Sequence, residues 1–257
     1  MTQTNRRLYL IRKLLHEQPQ YAGMQIPEDE TGQTRLLRSL FNIRMPHPAD
    51  EEFLQIQDAY LREETRRKGI TRLTDLKPIQ KGIYLWQGDI TTLQCDAIVN
   101  AANSRMLGCF VPCHGCIDNA IHTFAGVQLR LECARIMAQQ QEEEPTGRAK
   151  ITKAYNLPCR HILHTVGPII HGAVTKTDRQ LLADCYRSCL ELAESYHLNH
   201  VAFCCISTGE FHFPNEAAAQ IAVQTVQDYQ REHPHGLEVI FNVFKEIDYE
   251  IYKQLLR

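Results

Sequence analysis

The sequence predicts a three-layer α/β fold with a mixed, mainly parallel sheet, preceded by an N-terminal helical extension. Three observations carry this. From residue 80 onward, short β-rich runs alternate with helix-length runs, an order that places helices on both faces of a sheet. Runs such as Ala97-Ile98-Val99 are apolar throughout, as a strand covered on both faces must be. Up to about residue 75 the apolar residues recur at helical spacing.

In order, Leu8, Ile11, Leu14 and Leu15 mark a first helix, and Leu36, Leu37, Leu40 and Phe41 a second. Pro46 and Pro48 then interrupt the chain, and Asp50 is placed to cap a third helix through Phe53, Ile56 and Leu61. The extension is assigned to residues 1–75 and the α/β domain to 76–257. Arg66-Arg67-Lys68, with Glu63 and Glu64 just before it, reads as a solvated helix face. Ile83 to Trp86 and Ala97 to Val99 are strands. A helix is expected over 118–137, with Ile121, Ala125, Leu129 and Cys133 on one face. Strands follow at Ala154–Leu157 and His161–Val166, then a helix over 178–197 and a strand at Val201–Ile206. A helix over 215–231, a strand at Val239–Phe244 and a helix over 246–256 complete the order. Ligands in such folds bind beyond the carboxyl ends of strands. The loops after Val99, Val166 and Ile206 are therefore the places to search.

Composition narrows the function. The 257 residues are 44% hydrophobic and 23% charged, with a formal net charge of -2. A nucleic-acid binder is expected to carry a basic excess, and none is present. No run of about 18 apolar residues exists, so no membrane helix is expected. The N-terminal stretch lacks the continuous apolar segment of a secretory signal. Ten cysteines in such a chain are expected as free, catalytic or metal-bound thiols in a reducing, cytoplasmic compartment.

Three thiols and one imidazole crowd the segment GCFVPCHGCIDN, residues 108–119. Thiolate and imidazole are donors that select zinc. Cys113 and His114 are neighbours, so bringing both to one ion strains the backbone. Cys109, His114 and Cys116 are better spaced to converge, with Cys113 the alternative to one of them. Three donors leave an open position, the mark of a catalytic zinc. Against this stands ordinary packing of small cysteines beside a loop. The other seven cysteines read as core or surface thiols; Cys185 and Cys189 share a helix face with Leu182, Ala193 and Tyr196.

The remaining motifs are weaker singly. Gly88-Asp89-Ile90-Thr91 follows a strand; Asp89 can accept from an exocyclic amine, or the segment is a simple turn. Asn100-Ala101-Ala102-Asn103 offers small residues for close approach and amides for sugar hydroxyls, or caps. Ser207-Thr208-Gly209-Glu210-Phe211-His212-Phe213-Pro214 lies between a strand and a helix. There backbone amides make an anion site, or an ordinary connection with two packed aromatics. It lacks the Gly-Lys-Ser/Thr ending of a nucleotide P-loop.

Taken together, GDIT, DAIVNAAN, IDNAIH, HTVGP and ISTG, in that order over about residues 75–257, resemble a macrodomain of the MacroD type. MacroD-type enzymes carry a glycine-rich loop before the acidic stretch. Here GCFVPCHGCIDN takes that place, which resembles the zinc-containing microbial macrodomains with an N-terminal helical extension. The resemblance implies a zinc-dependent hydrolase that removes ADP-ribose from mono-ADP-ribosylated proteins, with a functional link to a sirtuin-type ADP-ribosyltransferase. A non-catalytic ADP-ribose reader and a structural zinc module are the competing readings. The resemblance also assigns residues. Asp89, with Ile90, meets the adenine amine. Asn103 holds the distal ribose. Ser207, Thr208, Gly209, Glu210 and Phe211 wrap the diphosphate and distal ribose. Phe244 stacks on adenine, Asp118 takes the place of the acidic residue used in MacroD-type catalysis, where it orients or activates the nucleophile, and Zn2+ sits on Cys109, His114 and Cys116. His212 stands where the wider family often has glycine.

Overall fold

Three helices open the chain in the computed structural model, which describes residues 1–21, 23–234 and 236–257. They are α1 (Gln3–His16), α2 (Glu30–Ile43) and α3 (Glu51–Lys68). Each begins on a side chain that accepts an otherwise orphaned backbone N–H: Thr2 from Asn5, Asp29 from Gly32 and Asp50 from Phe53. Such caps contribute about 1 kcal/mol each. Leu10, Leu14, Leu37, Phe41, Phe53 and Leu61 are among the residues of a core that belongs to these helices.

The chain then enters the α/β body. β1 (Thr71–Arg72) lies parallel to β4 (Leu93–Gln94) as a small clasp. The main sheet has seven strands in the order β2-β3-β9-β8-β5-β7-β6. These are β2 (Pro78–Gln80), β3 (Ile83–Gln87), β5 (Ala97–Ala102), β6 (Ala149–Lys153), β7 (His161–Val166), β8 (His200–Phe203) and β9 (Glu238–Val243). β3, β9, β8, β5 and β7 run parallel, and β2 and β6 close the edges antiparallel. The central strands are buried on both faces: Ile98, Val99, Ile162, Leu163, Val201, Ala202, Val239 and Ile240 have no exposed surface. Helices α6 (Lys176–Ser195), α7 (Asn215–Glu232) and α8 (Glu246–Leu255) pack against one another in one layer. Helices α4 (Ile117–Ala125) and α5 (Val127–Gln140) pack together in the other, with α2 and α3 against α4. The three-layer α/β architecture is the one expected from sequence.

Several elements differ from expectation, each for a local reason. The single helix over 118–137 is two, broken at Gly126 with φ 98°. The break leaves the Val127 N–H free to donate to Gln57 Oε1 at 2.9 Å, so a residue of α3 caps α5. Ala154–Leu157 is a turn, with Tyr155 at φ 53°; the edge strand lies earlier, at Ala149–Lys153. Its apolar residues mislead because Ala154 and Leu157 are buried in the turn. The strand after Val201 ends at Phe203, and Cys204–Ile206 leave the ladder towards the candidate loop. Tyr196 is exposed rather than sharing the buried face of Cys185 and Cys189. Glu144, at the end of a polar run, is buried with Lys150 Nζ at 3.0 Å.

The seam between extension and α/β body is rich in hydrogen bonds. Arg130 of α5 is buried and donates to the carbonyls of Phe41 (3.0 Å) and Arg44 at the end of α2, and to Leu107 at 2.7 Å. Asn156 donates to Asp58 Oδ1 at 2.7 Å. Charge-assisted bonds like those of Arg130 are strong because water is excluded.

Candidate active site

β5 delivers two asparagines to the mouth of the sheet, and α4 returns a carboxylate to meet them. Asp118 lies in the first turn of α4 and is buried. Its Oδ1 accepts from Asn100 Nδ2 at 2.8 Å and its Oδ2 from Asn103 Nδ2 at 3.2 Å. Burial pushes the carboxyl up to about 6, against the opposing pull of Asn100, Arg130 and Asn103. Asn103 is half-buried, and its amide also donates to Gly108 O at 3.2 Å. Asn100 is not a surface amide: it has no exposed area, and its Nδ2 lies 3.2 Å from His164 Nδ1. His164 Nε2 in turn lies 2.9 Å from Thr152 Oγ1. Burial pushes His164 down to about 3, so it is neutral at physiological pH.

Immediately beyond Asn103 comes the cysteine-rich loop. Cys109, His114 and Cys116 each place a donor atom within 4.8 Å of the other two. Cys116 caps α4 and accepts from the Asn119 N–H at 3.4 Å. Burial and the neighbouring Cys109 push the Cys116 thiol up to about 12, while the Asn119 N–H pulls the other way. His114 Nδ1 is buried with no hydrogen-bond partner among the described residues, and Nε2 is 3.5 Å from Glu210 Oε1. Two soft sulfurs and an unpartnered ring nitrogen fit a zinc ion by donor chemistry. Cys113 stands apart: its Sγ lies 3.2 Å from Ser39 Oγ, and its backbone has φ 54°. A second group of donors, His122, Cys133 and His164, is wholly buried. There both nitrogens of His164 are already engaged.

The loop after β8 faces this one. Ser207 is buried with φ 64°, and its Oγ has no hydrogen-bond partner among the described residues. Thr208 Oγ1 donates to Cys205 O at 3.1 Å. Gly209 and Glu210 are exposed and Phe211 is half-buried. His212 has φ 57°, in the left-handed region that favours glycine, so the loop keeps that backbone shape with a histidine. The Glu210–His114 contact joins this loop to the cysteine-rich one.

In the turn after β3, Asp89 Oδ1 accepts from Thr91 N (3.0 Å) and Oγ1 (2.6 Å). Its Oδ2 meets Lys68 Nζ at 3.0 Å. Burial raises this carboxyl, but Thr91 and Lys68 outweigh it and leave it below its ordinary value. Lys68, read as part of a solvated face, also lies over the Phe124 ring at 3.3 Å from its centre. Ile90 is buried beneath the turn, and Phe244 is 76% exposed just after β9. Sequence reading missed His164, Arg130 and Lys68, together with Arg38 and Asn42 of α2, which bond to the cysteine-rich loop. For the extension residues no local signal existed, because their partners lie far away in the chain.

Fold and site together define an α/β module of the macrodomain class, and the Macro domain family matches residues 99–222. Over its whole length the chain is 57% identical to a Protein-ADP-ribose hydrolase of Treponema medium, covering 100% of both chains. A Trypanosoma brucei macrodomain solved in complex with ADP-ribose is 31% identical, with TM-score 0.67 over 90% of this chain and 97% of that one. An Oceanobacillus iheyensis macrodomain solved with ADP is 40% identical, with TM-score 0.62 over 68% of this chain and 89% of that one. The chain belongs to the macrodomain family, with the Treponema hydrolase as a relative along its full length.

Proposed function

We propose that the protein is a hydrolase that removes ADP-ribose from mono-ADP-ribosylated proteins and uses a zinc ion held by Cys109, His114 and Cys116. The observation that carries this is convergence. Asn103, the three soft donors and the Ser207–Phe211 loop meet at one end of the sheet, linked by the Asn103–Asp118, Asn103–Gly108 and His114–Glu210 contacts. Removal of ADP-ribose is supported by the full-length relative of that name. Binding of ADP-ribose is supported by the solved macrodomain that holds it.

The residues divide the work. Asp89, Ile90 and Phe244 receive the adenine end, and Lys68 must share Asp89 with the base. The Ser207–Phe211 loop receives the diphosphate, and the partnerless Ser207 hydroxyl is a donor for it. Asn103 fixes the distal ribose, and Asp118, with both oxygens engaged by amides, holds Asn103 in place. Cys109, His114 and Cys116 would hold the zinc ion, which would supply Lewis acidity to the hydrolysis. Water then cleaves the bond between the distal ribose and the modified side chain, which releases ADP-ribose and the free side chain. The modifying partner is a sirtuin-type ADP-ribosyltransferase, whose product this enzyme reverses, in the cytoplasm.

Release of ADP-ribose from a mono-modified protein tests the reading. Removing zinc with a chelator, or Cys116→Ala, is expected to lower turnover by roughly 10³-fold, the scale of several kcal/mol of lost electrostatic stabilisation. Asn103→Ala is expected to lower kcat/KM by about 10²-fold through misplacement of the sugar. Full turnover by the metal-free, folded protein would end the zinc assignment. Tight ADP-ribose binding without any release would turn the enzyme into a reader.

A further inference from the structure

The loop that carries the three donors closes one backbone bond of its own, His114 N–H to Val111 O at 3.2 Å, and is otherwise held by side chains of helices. Between Val111 and Cys116 it turns back on itself, and Cys113 sits at φ 54°, a left-handed conformation that is unfavourable for a residue with a Cβ. Three side chains take up its backbone groups. Asn119, fully buried, donates from Nδ2 to Val111 O at 2.9 Å. Asn42 of α2, also buried, accepts the Cys113 N–H at 2.8 Å, and its Nδ2 donates to Thr123 Oγ1 at 2.9 Å. Arg38 of α2 donates from Nη2 to His114 O at 2.9 Å, and from Nε and Nη2 to Asn119 Oδ1 at 3.2 and 2.8 Å. The Asn119 backbone N–H closes the circuit on Cys116 Sγ at 3.4 Å.

We propose that helix α2 of the extension is part of the metal centre, with Arg38 and Asn42 as positioning residues that preset the loop for the cation. The inference rests on the zinc reading above. Neither residue supplies a donor to the ion. Arg38 fixes the carbonyl of the histidine ligand and, through Asn119, the helix turn that carries the Cys116 sulfur. Asn42 fixes the left-handed residue that turns the loop between Cys109 and His114. Drawing two sulfurs and a ring nitrogen together from a free loop costs conformational entropy at the moment of binding. A loop already held by α2 has met that cost on folding. Outer-sphere partners of this kind tune metal affinity in general. The extension thereby becomes a requirement of the site.

The experiment uses the full chain and zinc alone, with affinity measured by competition against a chromogenic chelator. Wild type, Cys116→Ala, Arg38→Gln, Arg38→Lys and Asn42→Ala are compared, and thermal unfolding is recorded in excess chelator. Arg38→Gln and Asn42→Ala are expected to bind zinc about 10–100-fold more weakly, while the metal-free melting temperature stays within about 2 °C of wild type. Arg38→Lys keeps the charge without the planar fork and is expected to fall in between. If Cys116→Ala binds zinc as wild type does, the metal assignment itself is wrong and this inference goes with it. If binding needs Cys116 but is untouched by Arg38→Gln and Asn42→Ala, only the role of α2 is overturned. A metal-free melting temperature that falls in step with affinity makes the contacts merely structural and also overturns it. Should Arg38→Gln not fold, Asn42→Ala decides by the same two readings.

Discussion

The loop from Leu107 to Cys116 is tied down by side chains from elsewhere, whereas the loop from Ser207 to Phe213 is tied mainly to its own neighbourhood. In the first, Leu107 O is held by Arg130, Gly108 O by Asn103, Cys113 N–H by Asn42 and His114 O by Arg38. In the second, Phe213 N–H donates to Ser207 O, His212 N–H to Gly209 O and Thr208 Oγ1 to Cys205 O, while Ile170 N–H on Phe211 O and His114 Nε2 beside Glu210 Oε1 reach it from further off. The difference matches what each loop would do. Donors for a small cation must stand at set distances before it arrives. A diphosphate cradle needs free N–H groups and room to close on a flexible ligand.

That contrast can be broken at particular residues. Gly108 has φ 78°, and a Cβ there would lie 2.6 Å from Cγ of the buried His122. Gly108→Ala is expected to destabilise the protein by about 1–3 kcal/mol, read by chemical denaturation. A wild-type midpoint would mean that the cysteine-rich loop is not held tightly. Phe244 projects into solvent, so Phe244→Ala is expected to leave folding alone. By loss of base stacking it should weaken ADP-ribose binding about 3–10-fold in calorimetric titration. Unchanged affinity would place the adenine elsewhere. The smallest effect belongs to Gly209, where an added Cβ would meet nothing within 4 Å and the backbone has no left-handed φ. Gly209→Ala is expected to change stability by less than about 0.5 kcal/mol. A loss equal to that of Gly108→Ala would erase the difference between the loops.

The same contrast explains what can be read in advance. The β–α alternation and the all-apolar central strands require nothing beyond the chain itself, since burial on two faces leaves a continuous apolar run. The cysteine-rich loop announces its donors because all three lie within eight residues. Asn100 misleads because its side chain points back under the sheet to Asp118 and His164, and an amide beside a strand end looks the same from either side. Lys68 looks like one more charge in a basic run, yet its amine crosses to Asp89 and Phe124.

By itself the sequence determined the alternation of strands and helices, the mainly parallel core and the crowding of thiols and an imidazole on one loop, because periodicity and local spacing are written along the chain. Tertiary structure alone decided that Cys113 turns away from the other donors, that Asp118 is buried between two asparagines and that α2 reaches the cysteine-rich loop. Those depend on contacts between residues such as Arg38 and His114, some 76 positions apart. Only the packing of the extension against α4 brings them within hydrogen-bonding distance.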